Sequence, residues 1–142
     1  MGNSYCETGV DHGSAPYVMD VAQRSGQNSN FRTAVWTGNC LQMTLMCIPV
    51  CSDIGLEIHK DTDQIIRIEQ GMAMVVMGNE KCRLDFQQRL CQGDVVFVPA
   101  GTWHNVINIG RMPLKVSSIY APPNHPAGTV HRTKEDAERE HD

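Results

Sequence analysis

Gly93-Asp94-Val95-Val96-Phe97-Val98-Pro99-Ala100-Gly101-Thr102-Trp103-His104-Asn105-Val106-Ile107-Asn108 decides the fold. Gly93-Asp94 is a turn signal and Val95–Val98 a short β-branched run, so a strand starts there. Pro99 and Gly101 suit positions i+1 and i+3 of a tight turn, which delivers Thr102–Ile107 into the next strand. Successive strand side chains alternate between faces. Thr102, His104, Val106 and Asn108 therefore share one face, leaving Trp103 and Asn105 on the other, where packing is expected. Asp94 is expected to accept backbone amides within its own turn.

The same punctuation runs outward in both directions. Phe31–Thr37, Gly38-Asn39 and Leu41–Ile48 form a hairpin signature. Further strands are expected at Ile54–His59, Asp63–Glu69, Met72–Met77, Cys82–Phe86 and Pro113–Ala121. With no amphipathic helix between them, these strands predict an all-β sandwich or barrel. Residues 1–30, rich in Gly, Ser, Asn and Gln, read as an extended arm, 31–121 as the barrel, and 122–142 as a loop and short helix. Thr133 resembles an N-cap, with Glu135 and Asp136 in the first turn of a helix over 134–141.

The 142 residues fit one domain. A net charge of −4 with scattered basic residues argues against a nucleic-acid surface. No run of about 18 apolar residues suggests a membrane helix, and the N-terminus lacks signal-peptide character. A cytoplasmic protein is expected. The six cysteines show no zinc-finger spacing, so they are expected to be reduced and to pack as small buried hydrophobes.

Strand parity gathers four polar side chains. Glu57 and His59 share a face in Ile54–Lys60; Gln64 shares one with Ile66 and Ile68; His104 lies on the third. If these faces look into one barrel, a carboxylate, two imidazoles and a carboxamide converge, and burial without partners is costly. A divalent cation satisfies them. Glu57 is read as ligand and catalytic base, or as a carboxylate orienting a histidine; Gln64 as a ligand, or as a partner to Glu57 or water. Met43, Leu45, Thr102 and Val106 are read as pocket walls. Lys60, Asp61 and Asp63 are read as solvent-facing charges near the opening, and His125 and His131 as ordinary loop polarity. The alternative places His125 or Tyr120 at the barrel mouth.

Gly93-Asp94-x4-Pro99-x-Gly101-x2-His104-x3-Asn108 resembles the second motif of the cupin superfamily at every defining position. Glu57-x-His59-x4-Gln64-x6-Gly71 is similar to the first, with Glu57 in place of the usual first histidine and Gln64 in place of the usual glutamate. The leading glycine position falls on Cys51. The resemblance spans about 31–121 and implies a jelly-roll barrel (a double-stranded β-helix) holding zinc, iron, manganese or nickel on Glu57, His59, Gln64 and His104. The ligand types are those of phosphomannose-isomerase-like cupins. A sugar or sugar-phosphate isomerase is thus the first expectation; a metal-dependent dioxygenase and a non-catalytic small-ligand-binding cupin are the others. Cupins often pair through a strand, and Phe31–Ile48 has only Arg32 as an edge charge. A homodimer through the N-terminal strands is expected.

Overall fold

The structure is a computed structural model and describes residues 10–140. It contains α1 (Val21–Gln27), β1 (Arg32–Thr37), β2 (Gln42–Ile48), β3 (Asp63–Gln70), β4 (Met72–Gly78), β5 (Phe86–Cys91), β6 (Val95–Val98), β7 (Trp103–Asn108), β8 (Leu114–Ala121), β9 (Val130–His131) and α2 (Lys134–Glu140). One sheet runs β6-β3-β8-β2-β1-β9 and the other β5-β4-β7. The pairings are antiparallel throughout. This is the expected all-β jelly roll with a short C-terminal helix.

Period-two alternation builds the core. Ile66, Ile68, Val75, Val96, Val98, Val106, Leu114 and Val116 point between the sheets and join one buried cluster. Each such side chain contributes about 1.5–3 kcal/mol by leaving water. Helix α2 begins as expected: Asp136 N donates to Thr133 Oγ1 (3.1 Å) and Thr133 N to Asp136 Oδ2 (3.3 Å), a reciprocal cap.

Several expectations are corrected. The described part of the arm carries a helix: Asp20 caps α1 by accepting from Gln23 N at 3.0 Å. Lys115 Nζ, reaching from β8, donates to the carbonyls of Gly26 (3.1 Å) and Asn28 (2.6 Å) at its other end, where the helix dipole favours a cation. The strand expected at Cys82–Phe86 begins where that range ends, because Glu80 and Arg83 pair across a turn. Ile54–His59 is no regular strand. Gly55 takes φ +94°, which interrupts the extended run, and only isolated bridges join Asp53 to Ile107 and Glu57 to His104. The cysteines are free, but Cys40, Cys51, Cys82 and Cys91 are exposed and not buried; Cys6 lies outside the described residues. Met43 and Leu45 alternate with the buried Thr44 and Met46 and so face the outside of the sheet, where Met43 meets Tyr17 and Trp36. Finally, the chain covers the outer edge of β1 itself. β9 pairs with it, Phe31 N donates to Arg132 O, and Ala34 N donates to Thr129 O. That edge of β1 thus has a partner within the chain.

Candidate metal centre

The two motif segments are clamped together by backbone. Glu57 and His104 exchange amide hydrogen bonds (3.0 and 2.9 Å), and Gly101 N donates to His59 O at 2.8 Å. Gly101 sits at φ +81°, the left-handed region that glycine enters without strain, so the Pro99–Gly101 turn delivers its amide to His59 as well as His104 to the barrel. Asp63 accepts from Ala100 N at 2.8 Å and so pins the same turn; it is more than a solvent-facing charge.

Glu57, His59 and His104 each present one donor atom, all within 4.8 Å of one another. Glu57 Oε1 lies 3.2 Å from His59 Nε2 and 3.8 Å from His104 Nε2. His104 is fully buried, and its Nδ1 donates to the Thr102 carbonyl at 3.0 Å. A carbonyl only accepts, so Nδ1 carries the proton and Nε2 a lone pair; this is how a histidine is oriented for a metal. That lone pair has no partner, nor does the buried Oε1 of Gln64, whose Nε2 reaches Ser118 Oγ at 3.4 Å. Burial pushes the His104 imidazole below its ordinary range, although the Thr102 carbonyl and Glu57 pull the other way. For Glu57, burial alone would raise the carboxyl, but the hydrogen bond from His59 and the charges of His59, Arg32 and His104 bring it below normal. The site thus holds an anionic oxygen and a neutral imidazole at neutral pH, the forms a divalent ion requires. This donor set fits a metal.

Parity places the remaining residues largely as expected. Asn105 turns away, donating to Asp53 Oδ2 at 3.0 Å, and Lys81 lies over the Trp103 ring at 5.5 Å. Asp94 accepts from Cys91 N at 2.8 Å within its turn. Val106 is buried in the core and Thr102 contributes its carbonyl, so neither is simply pocket wall.

A cavity of about 870 Å³ opens on Glu57 and His59, and Arg32 and His125 line it. The expectation of ordinary polarity for His125 and His131 fails here. Gln42 holds the loop by its backbone: its Oε1 accepts from Asn124 N (3.1 Å) and His125 N (3.0 Å), and its Nε2 donates to His125 O (2.8 Å). The His125 ring then meets Tyr120 edge-on at 5.2 Å, and Tyr120 meets His59 at 5.7 Å. Burial, with the Arg32 charge next, pushes the His125 imidazole down to about 3, so it is neutral. His131 is 3% exposed and sits between Arg32 and Glu140. Helix α2 closes over the cavity, tied by Lys134 to Asp53. Arg32, read from sequence as an edge charge, is 2% exposed and faces this cavity. The signal available was its place in strand parity with the small Ala34.

Comparison with known proteins agrees with this architecture. The crystal structure of BH2720 from Bacillus halodurans superposes with a TM-score of 0.90 at 50% identity, over 91% of this chain and 98% of that one. The uncharacterized protein YrkC of Bacillus subtilis is 55% identical over 89% of this chain and 68% of its own length. The uncharacterized protein L612 of Acanthamoeba polyphaga mimivirus is 38% identical over 80% and 70%. A predicted oxalate decarboxylase from Thermotoga maritima shares only the fold, at 21% identity and a TM-score of 0.52. The cupin domain profile matches residues 44–120, the span that carries Glu57, His59, Gln64 and His104. The chain belongs to the cupin family.

Proposed function

We propose that this chain is a metal-dependent enzyme acting on a small oxygen-rich molecule by proton transfer, with Glu57, His59 and His104 as metal ligands and Gln64 as the fourth. The observation that carries this reading is the buried partnerless acceptor His104 Nε2 beside the Glu57–His59 contact, with the donor atoms of the three residues within 4.8 Å of one another. A bound divalent ion would supply Lewis acidity, acidifying a hydroxyl or a C–H beside a carbonyl. Glu57, kept ionised by His59 and Arg32, is the group that accepts the proton and returns it. The Thr102 carbonyl fixes the His104 ring, and Tyr120 and His125 wall the site. Aldose–ketose isomerisation is one reaction of this kind.

The second reading is a metal-dependent oxygenase. It is favoured by the set of two imidazoles and one carboxylate, which suits iron(II).

The test begins with metal analysis of protein purified without chelator or nickel column. We expect about one equivalent, lost in the His59→Ala/His104→Ala double variant, with the β-rich circular dichroism retained. A double variant holding a full equivalent overturns the site. Hydroxy-carbonyl substrates are then incubated anaerobically in D2O with zinc-loaded protein. Deuterium appearing beside the carbonyl supports proton transfer; substrate-dependent oxygen uptake requiring iron replaces it with the oxygenase.

A further inference from the structure

The cavity holds a fixed positive charge outside the metal-site triad. Arg32 is 2% exposed, and among the described residues no carboxylate lies within 4.0 Å of its guanidinium. Its Nη1 donates to His131 Nδ1 at 3.1 Å, and Nη2 reaches only the Met46 sulfur at 3.9 Å. Because arginine only donates, His131 Nδ1 must be the acceptor. His131 is then neutral and donates its Nε2–H to Glu140 Oε1 at 2.7 Å, so among the described residues no carboxylate pairs directly with Arg32. Glu57 is near enough to feel Arg32, but its carboxylate is committed to His59 and the metal site.

Arg32 Nε, Thr44 Oγ1 and Tyr120 Oη are buried close together, with Arg32 and Thr44 within reach of the Tyr120 hydroxyl, and none of the three makes a well-formed hydrogen bond. All three lie on the inward face of neighbouring strands β1, β2 and β8, and Thr44 and Arg32 flank the Tyr120 hydroxyl. All three can donate. An unpaired buried guanidinium is expensive, and its planar fork matches a two-oxygen anion.

We propose that this cavity takes the substrate by a carboxylate held by Arg32, which lines it, with the buried Thr44 and Tyr120 hydroxyls behind the guanidinium, so that the natural ligand is a small hydroxy- or oxo-acid. A carboxylate fits better than a phosphate. One buried guanidinium balances one negative charge; the other cation on the wall, Lys134, is engaged by Asp53; and Glu57, Glu138 and Glu140 on the same wall disfavour a more highly charged anion. Tyr120 touches both sides, with its hydroxyl beside Arg32 and its ring 5.7 Å from His59. The carboxylate therefore binds within a few bonds of the substrate oxygen presented to Glu57, His59 and His104. A cavity of about 870 Å³ lies within the usual range for small-molecule pockets. The placement of that second oxygen rests on the metal-site reading; the carboxylate subsite does not.

The experiment therefore uses both metal-free and metal-loaded full-length protein. Thermal midpoints are followed against lactate, pyruvate and gluconate, with glucose, inorganic phosphate and glucose 6-phosphate as comparisons at constant pH and ionic strength. Acids should raise the midpoint of metal-free protein in proportion to the logarithm of concentration. Glucose and phosphate should not. Arg32→Met should weaken acid binding at least tenfold. Thr44→Val and Tyr120→Phe each delete one hydroxyl and should weaken it several-fold, which keeps the test open should Arg32→Met misfold. If the chain binds no metal, acid binding to metal-free protein still stands. The subsite is overturned if no acid shifts the midpoint, if phosphate or glucose binds as well as the acids, or if the variants bind acids like wild type.

Discussion

Replacing His125 with glutamine should flatten the acid sensitivity of the metal-free protein, and the structure gives the size. His125 is buried against Tyr120 and feels the Arg32 charge, so its imidazole titrates at about 3 in the fold against 6.5 when unfolded. A histidine with a depressed folded pKa is neutral in the native state and charged in the unfolded chain below 6.5. The unfolded state then binds the extra proton, and stability is lost as pH falls from 6.5 toward 3. Between pH 7.5 and 5.0 the cost is up to about 2 kcal/mol, at about 1.4 kcal/mol per pH unit over the 1.5 units below 6.5. Urea unfolding reads this as a midpoint lower by roughly 1 M at a slope near 2 kcal/mol/M. His125→Gln should lose correspondingly less between the two pH values. Gln42 holds the loop by the backbone of residues 124 and 125, so the substitution leaves the strap in place. His104, also depressed by burial, titrates in both proteins and cancels in the difference. Equal losses in variant and wild type would mean that the ring is solvated and the strap does not close on the site.

Two other outcomes are expected. Gln64→Leu, close in volume, should keep the fold but lower metal affinity about tenfold, because the buried Oε1 is removed; unchanged affinity by metal titration would make Gln64 a core amide. A homodimer is still expected, now through the open edge strand β5 and its neighbour β6, where Phe86 is 54% and Phe97 68% exposed. A single-chain mass by light scattering at micromolar concentration would refute it.

The parts of this molecule legible in the sequence are those set by local rules. Strand parity places Gln64 and His104 on inward faces, because a period of two holds whatever the partner strand is; Glu57 and His59 come from an irregular segment that a single bridge joins to β7. The Pro99–Gly101 turn and the Thr133 cap are each closed within a few residues of themselves. Parity fails at Met43 and Leu45 for a related reason: both faces of β2 are partly covered, so apolar character no longer says which side is inside. Helix α1 was missed because Val21–Gln27 is seven residues long and includes Gly26, too short for a 3.6-residue pattern to stand out, although Asp20 was a readable cap.

Arg32 shows where local reading ends. On a strand, an arginine flanked by apolar residues reads as a charge that keeps an edge soluble, and nothing within ten residues contradicts that. Its burial is decided by His131, 99 positions away, once β9 pairs with β1 and Gln42 ties down residues 124 and 125. The same closure moves His125 and His131 from loop polarity into the cavity wall. It also gives the edge of β1 a partner within the chain. One long-range contact set therefore reverses three local readings. It converts a general cupin metal site into one with a buried cation beside it, and that cation is what narrows the ligand from any polar molecule to an acid.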